Sequence, residues 1–315
     1  MEKIIKIEHL FKSFGNIKAV NDLSFSVREG ELFAFLGVNG AGKSTTISMM
    51  CGQLLQDSGK IEICGKDTCA SMADIFSRIG VVFQNSVLDP FLTVRENLES
   101  RAAMYGISGR KFDSRLNELA SLLSFENILG RQFGKLSGGQ KRRIDIARAL
   151  FHNPDILFLD EPTTGLDPQT RKILWDVVTE LRRGQNTTVL LTTHYMEEAA
   201  DADYVVIIDS GRVSAEGTPL ELKNRYTGDF VLIYTDDENF VSSLGFPYQR
   251  LRDSFRISVP NCAEATRMIV HNQDKFVDYE ITKGKMDDVF LSVTGKKLTV
   301  GDENDNVIRS YKKKL

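Results

Sequence analysis

The chain has 315 residues, 42% of them apolar, and carries a net charge of −3. That length suits two domains, or one large domain with an appendage, and the slightly acidic balance argues against non-specific nucleic-acid binding as the main activity. No apolar run approaches the ~18 residues of a membrane span, and Met1–Lys6 lacks the apolar core of a signal peptide.

The first 225 or so residues alternate short apolar strands with helical periods, the α/β signature. Strands are predicted at Lys3–His9, Leu23–Val27 and Leu32–Leu36, followed by a Gly-rich loop and a helix over Lys43–Met50. Further strands are expected at Lys60–Cys64 and Gly80–Phe83, then a mostly helical stretch from Val94 to Leu129, read as an insertion in the α/β core. Strands resume at Ile156–Leu159, Thr188–Leu191 and Tyr204–Ile208, and Asp209–Arg212 reads as a hairpin turn into Val213–Glu216. Thr218 and Pro219 stand as N-cap and first residue of a short helix. The character changes after Gly228, where strands and helices follow the order β-α-β-β-α-β over Phe230–Ile281, with a last helix at Met286–Thr294. That order suits a small ferredoxin-like α+β unit. The basic end Lys312–Lys314 reads as a solvated tail. Four cysteines, Cys51, Cys64, Cys69 and Cys262, form no C-x-x-C pair and read as free thiols in a reducing compartment.

Gly37–Thr45 read GVNGAGKST and fit the phosphate-cradling loop G-x-x-x-x-G-K-[ST]. An apolar strand before it and a helix after it supply the context this motif needs. Gly37, Gly40 and Gly42, with Asn39 and Ala41 between them, let the backbone approach phosphates, and the amides at the helix start face the anion. Lys43 brings a point charge for β/γ-phosphates, and the hydroxyl of Ser44, followed by Thr45, can ligate Mg²⁺. A plain Gly-rich turn would not explain Lys-Ser in this register. Asp160 and Glu161 end a buried strand, where ligands bind in open α/β sheets. Asp160 is placed to serve a metal and Glu161 to orient or deprotonate a water; alone, Glu161 could equally be an exposed acid opening a loop. Gln84 and His194 also follow apolar strands, which raises two otherwise unremarkable residues to candidates. Leu136–Gln140 read LSGGQ and lead into a helical period, so Ser137, Gly138, Gly139 and Gln140 form a second helix start able to face an anion. By itself this is a plain N-cap with flexible glycines.

In combination these segments resemble the nucleotide-binding subunits of ATP-binding-cassette (ABC) proteins over nearly all of residues 1–225. The resemblance implies a P-loop NTPase cassette of α/β class over 1–228, a mixed-sheet core with a helical subdomain at about 86–150. A C-terminal accessory domain, regulatory or for dimerisation, follows over 229–315. Residue by residue, Gly37–Thr45 match the phosphate loop, Gln84 the Q-loop, Leu136–Gln140 the signature and Asp167 the D-loop. Asp160 matches the metal aspartate, Glu161 the catalytic glutamate and His194 the switch histidine, with Ser44, Gln84 and Asp160 around Mg²⁺. Phe14 matches the aromatic that stacks on adenine, a place where the family more often has Tyr; a phenyl face serves as well. Leu88–Leu98 and Met286–Leu291 with Thr294-Gly295 further resemble the ATPase subunits of type-2 exporters of the daunorubicin-resistance-like branch.

That family clamps two ATP molecules in a head-to-tail dimer, the signature of one subunit covering the nucleotide held by the phosphate loop of the other. The implied partners are a second copy or a similar ATPase subunit and a separate membrane permease, docked near Ser86–Lys111, with no nucleic acid. The chain would then work peripherally at the cytoplasmic face of the membrane and power export. The alternative is a soluble ABC ATPase acting in translation or nucleic-acid maintenance. Such proteins usually duplicate the cassette or carry long coiled-coil insertions, and this chain has one cassette. A P-loop GTPase or kinase would leave Leu136–Gln140 unexplained, and the chain has no Asn-Lys-x-Asp guanine reader.

Overall fold

A computed structural model describes residues 2–296; Lys312–Lys314 lie outside the described residues. The chain divides into two compact units, one up to Thr218 and one from Pro219 onward.

The first unit holds two sheets. Strands β1 (Lys3–Phe14), β2 (Ile17–Arg28), β4 (Ser58–Ile63) and β5 (Lys66–Asp67) form an antiparallel sheet in the order β2-β1-β4-β5. Between them in sequence come β3 (Leu32–Leu36) and helix α1 (Lys43–Met50). The second sheet has six strands in the order β10-β9-β3-β8-β7-β6, with β6 at Ile79–Val82, β7 at Ile156–Asp160, β8 at Thr188–Thr193, β9 at Tyr204–Asp209 and β10 at Arg212–Gly217. All its pairs are parallel except β9–β10. Every residue of β3, β7 and β8 is buried. Strands covered on both faces read as unbroken apolar runs, which is why these three stand out in the sequence.

β1 runs on past His9, where the sequence reading ended it. Its register with β2 shifts between Ile7 and Leu10 and again at Phe11, and His9 takes a positive φ of 47°. Bulges of this kind break the period-2 pattern that marks a strand.

Helices α2 (Thr68–Phe76), α3 (Val94–Ala103), α4 (Gly109–Leu122), α5 (Gly138–Leu150), α6 (Pro168–Gln185) and α7 (Met196–Ala200) complete the unit. α3 starts on a reciprocal Thr93/Glu96 capping box. α4 buries Phe112, Leu116, Leu119 and Ala120, one face at helical spacing. Its Phe112 stacks on Phe151 at 5.2 Å. α6 starts on Asp167, whose carboxylate accepts from Thr170 N, with Pro168 in the first turn.

The second unit begins with α8 (Pro219–Tyr226), which packs on α11 (Met286–Thr294). The division therefore falls ahead of this helix, whereas the composition changes only after Gly228. Strands β11 (Asp229–Ile233), β12 (Tyr248–Arg250), β13 (Phe255–Val259) and β14 (Tyr279–Lys283) alternate with α9 (Glu238–Ser243) and α10 (Cys262–His271). The sheet order is β12-β13-β11-β14 with every pair antiparallel, the order of a ferredoxin-like unit. Val231, Ile233, Phe255 and Ile257 pack with Val241, Met268 and Phe276 to form its core. Phe276 belongs to this core ahead of the last strand, meeting Phe240 edge-on at 5.7 Å. The apolar pair Phe276-Val277 had drawn the expected strand three residues too early.

Candidate functional site

Four parallel strands end at one edge of the six-stranded sheet, and the residues that follow them gather around one cleft. β3 leads to Gly37, β6 to Gln84, β7 to Asp160 and Glu161, and β8 to His194. This is where an open α/β sheet binds ligands. The cleft measures about 460 Å³ and is lined by Phe14, Asn39, Lys43, Ser44, Gln84 and Glu161 among others.

The loop ahead of α1 owes its shape to glycine. Gly42 has φ 106°, and a Cβ there would lie 2.4 Å from the carbonyl oxygen of Ala19. No side chain caps α1 at this end, so its first amides are free to serve another acceptor. Lys43 is 4% exposed and donates to the carbonyls of Gly37 (2.8 Å) and Val38 (3.2 Å). The same Nζ lies 3.5 Å from Glu161 Oε1.

Asp160 Oδ1 accepts from Thr192 Oγ1 at 2.6 Å and from Ser44 Oγ at 3.2 Å. Glu161 has a φ of 44°, a left-handed conformation that costs a non-glycine residue of order 1–3 kcal/mol and survives only where neighbours impose it. Its N–H donates to Thr192 Oγ1 at 3.0 Å, and its carbonyl accepts from Arg142 Nη2 at 3.2 Å. Its carboxylate takes weak hydrogen bonds from Gln84 Nε2 and Thr164 Oγ1, both at 3.4 Å. His194 Nδ1 stands 3.5 Å from Glu161 Oε1, a close contact outside hydrogen-bond geometry, since this ring nitrogen is buried without a hydrogen-bond partner.

These neighbours set the ionisation of the pair. Contact with His194, and then the charge of Lys43, hold the Glu161 carboxyl below its ordinary range against the opposing effect of burial. Burial pulls Lys43 down, and the attraction of Glu161 only partly offsets it. The two directions differ in cause because Lys43 lies deeper, with its side chain 4% exposed against 9% for Glu161.

The expected second helix tip is built but stands apart from this cleft. Ser137 caps α5, with its Oγ accepting from Gln140 N at 3.3 Å while Gln140 Oε1 accepts from Ser137 N at 3.0 Å. The serine hydroxyl proton remains available to an outside acceptor. Asp167 lies beside this tip, because a Cβ on Gly139 would come within 3.0 Å of Asp167 Oδ2 and 2.6 Å of Thr170 Oγ1. The structure thus gathers Phe14, the phosphate loop, Gln84, Asp160, Glu161 and His194 at one place, and Ser137–Gln140 with Asp167 at another.

Thr192 and Arg142 are site residues that motif reading missed. Two threonines at the end of the otherwise apolar run Val189-Leu190-Leu191 were a signal for the first. Arg142 shares the buried face of α5 with Asp145, Ile146 and Ala149, and a cation on an apolar face needs an acceptor there.

The cleft also fits a divalent cation shared with phosphates. Asp160 is 6% exposed and Ser44 brings a second hard oxygen beside it. Among the described residues no three His, Cys, Asp or Glu side chains cluster into a metal cage. Mg²⁺ needs none, since it is bound through one or two carboxylates with substrate phosphates and water.

Comparison with known proteins agrees with this geometry. Residues 20–164 match the family model "ABC transporter". The chain is 36% identical to the Nod factor export ATP-binding protein I of Ralstonia nicotianae, over 94% of this chain and 95% of that protein. It is 38% identical to the protein of the same name from Rhizobium sp. (strain N33), over 95% and 99%. Among solved structures it resembles MJ0796, a bacterial ABC transporter cassette solved as a dimer, with a TM-score of 0.64 and 28% identity over 68% of this chain and 98% of that one. A post-hydrolysis state of the same cassette, bound to ADP and Pi, matches equally well. A chain that aligns with such relatives over nearly their whole length, and folds a phosphate loop against a buried Asp-Glu pair, belongs to the ABC transporter family as an ATP-binding, ATP-hydrolysing subunit.

Proposed function

We propose that this subunit powers export through a separate membrane permease by ATP-driven closure and opening of a head-to-tail dimer. The observation that carries the reading is the pairing of a complete nucleotide cleft with a helix tip whose residues do not line it. The tip has its own hydroxyl and amides to offer, and a second copy is the natural source of the nucleotide they would meet. The Nod factor export relatives and the dimeric cassette support both halves of the reading.

In this scheme Phe14 stacks on adenine, and the amides of the loop from Gly37 to Thr45 take the phosphates. Lys43 already sits with its charge partly offset by Glu161 and gains a stronger anion when ATP enters. Mg²⁺, held by Ser44, Gln84 and Asp160, would neutralise phosphate charge. Glu161 orients and deprotonates the attacking water, and its lowered pKa keeps it ionised at neutral pH. His194 and Gln84, both against the Glu161 carboxylate, fix its direction. Positioning and charge neutralisation do most of the work in such a transfer. Ser137, Gly138, Gly139 and Gln140, with Asp167, close on the nucleotide of the opposite subunit. Loss of the γ-phosphate removes the shared anion and the dimer opens, a population shift limited by the difference in ATP affinity between the two states.

The permease docks beside α3. Val87, Phe91, Met104 and Tyr105 are exposed there, Phe91 by 81% and Met104 by 74%, and clustered exposed apolar groups mark contact surfaces. No described helix is long and apolar enough to cross a membrane, and this reading places the subunit peripherally on the cytoplasmic face.

Glu161→Gln is the test. The variant should bind ATP, elute as a dimer on gel filtration only with ATP, and lose at least about 100-fold in turnover, in line with removal of a general base. Full turnover would remove Glu161 from its role, and a monomer at every ATP concentration would remove the head-to-tail dimer.

A further inference from the structure

Arg142 is 7% exposed, and its four hydrogen bonds all go to main-chain carbonyls. Nη2 donates to the carbonyls of Asp160 (3.1 Å) and Glu161 (3.2 Å), and Nε to that of Pro162 (2.9 Å). Nη1 donates to the carbonyl of Phe83 at 2.5 Å, immediately before Gln84. One guanidinium therefore grips three successive residues of the loop that carries Glu161 and the base of the loop that carries Gln84. Farther along the same helix, Asp145 accepts from Ser86 Oγ at 2.7 Å and Arg148 donates to the carbonyl of Val81. Arg142 sits just over one helical turn past Ser137. The helix that presents the signature tip is thus bonded to the backbone that aims the Glu161 carboxylate, at a residue whose left-handed conformation needs outside support.

We propose that Arg142 is a positioning residue that fixes Glu161 to the Ser137 helix, so that docking of the tip and alignment of the carboxylate are one event. The inference rests on the head-to-tail reading above. A planar fork with donors on three nitrogens can span carbonyls from two segments. A lysine ammonium is a single point on a flexible stem and reaches one segment at a time. Arg142 touches neither nucleotide nor water in this scheme, so its loss should move kcat and leave binding in place.

The experiment is a cycle on the full chain. Arg142→Met and Arg142→Lys are made with Glu161 intact and with Glu161→Gln, and single-turnover hydrolysis, KM and nucleotide affinity are measured. Misplacement by about 1 Å can cost a reaction of this kind about 100-fold, so Arg142→Met should lower kcat by about 10- to 100-fold with affinity and KM held within about twofold. With Glu161→Gln already present, the same substitution should remove less than about twofold more, because groups that act as a unit are not additive. Equal proportional losses in both backgrounds, or a parental kcat, would overturn the role. Should Arg142→Met fail to fold, Arg142→Lys decides, since it keeps charge and stem: about a 10-fold loss in kcat at constant KM supports the fork, and parental kcat rejects it. If Glu161→Gln forms no ATP-dependent dimer, the head-to-tail reading falls, whereas a failed cycle with that dimer intact overturns Arg142 alone.

Discussion

The two helix tips of the cassette start from similar sequences and end in opposite states. α1 begins after GVNGAG with no side-chain cap, its lysine buried and its amides unclaimed. α5 begins directly after Leu136-Ser137, its two glycines in the first turn behind a closed capping box, and Ser137 and Gly138 are exposed. An uncapped helix start leaves donors unsatisfied, and an anion is the partner that can complete them. A self-capped start is stable alone and holds its shape until something arrives. The difference teaches how the proposed scheme divides the work: the first tip would bind within one chain, and the second would offer a pre-shaped contact to another.

The largest way to break this contrast is Lys43→Ala. It removes the buried cation from the first tip, takes the Lys43 hydrogen bond from the carbonyl of Gly37 and leaves that of Val38 with Ala41 N alone, and leaves Glu161 without its nearest positive charge. ATP affinity by calorimetry should fall at least about 100-fold, equivalent to about 2.7 kcal/mol. Unchanged affinity would mean that the amides alone hold the phosphates. A smaller effect should follow from Gly139→Ala at the second tip. The added methyl would press on Thr170 Oγ1 and Asp167 Oδ2, the capping pair of α6. Overpacking of this sort costs about 1–3 kcal/mol. Turnover should fall about 10-fold while the affinity of the isolated chain for ATP stays at its parental value. A parallel loss of affinity would show that the two tips are not separable in one chain.

The sequence carried the first tip more fully than the second. Lys43, Ser44, Asp160 and Glu161 stand in fixed registers next to buried strands, and an unbroken apolar run followed by a polar residue reveals a strand end without knowledge of its neighbours. That Gln84 and His194 reach the same carboxylate is also a consequence of parallel strands ending together. The closeness of Gly139 to Asp167 was not legible, because it depends on how α5 packs against α6, and no local pattern encodes a crossing. Arg142 was equally hidden: its acceptors lie on two segments distant in sequence, and carbonyls leave no trace in side-chain identity. β1 beyond His9 escaped notice because bulges erase alternation, and Phe276 misled because a buried aromatic can plug a core from a turn.

Between the two tips runs the loop from Glu161 to Asp167, and Glu198 of α7 pins it by accepting from Thr163 Oγ1. Glu198 is 4% exposed, and its second carboxylate oxygen is buried without a partner. Burial raises its carboxyl pKa above the ordinary range, while the hydroxyls of Thr163 and Thr193 act in the opposite sense. An acid with a raised folded-state pKa holds its proton more tightly folded than unfolded. Its stabilising contribution is whole below the ordinary glutamate value of about 4.3 and is lost as pH climbs through the folded value. Above that point the folded chain carries a buried charge with one oxygen unsatisfied. Glu198→Gln keeps an acceptor for Thr163 and has no charge to bury. Its melting temperature should therefore exceed the parent's by about 2–4 °C at pH 8, with the gap closing as pH falls towards 5. A gap of constant size across that range would mean that the Glu198 carboxyl does not change its charge there, and would leave the pinning of the loop to the Thr163 hydrogen bond alone. Turnover should change little, because the oxygen that holds Thr163 is kept; a fall in turnover at unchanged stability would instead tie the charge itself to the coupling of the two tips.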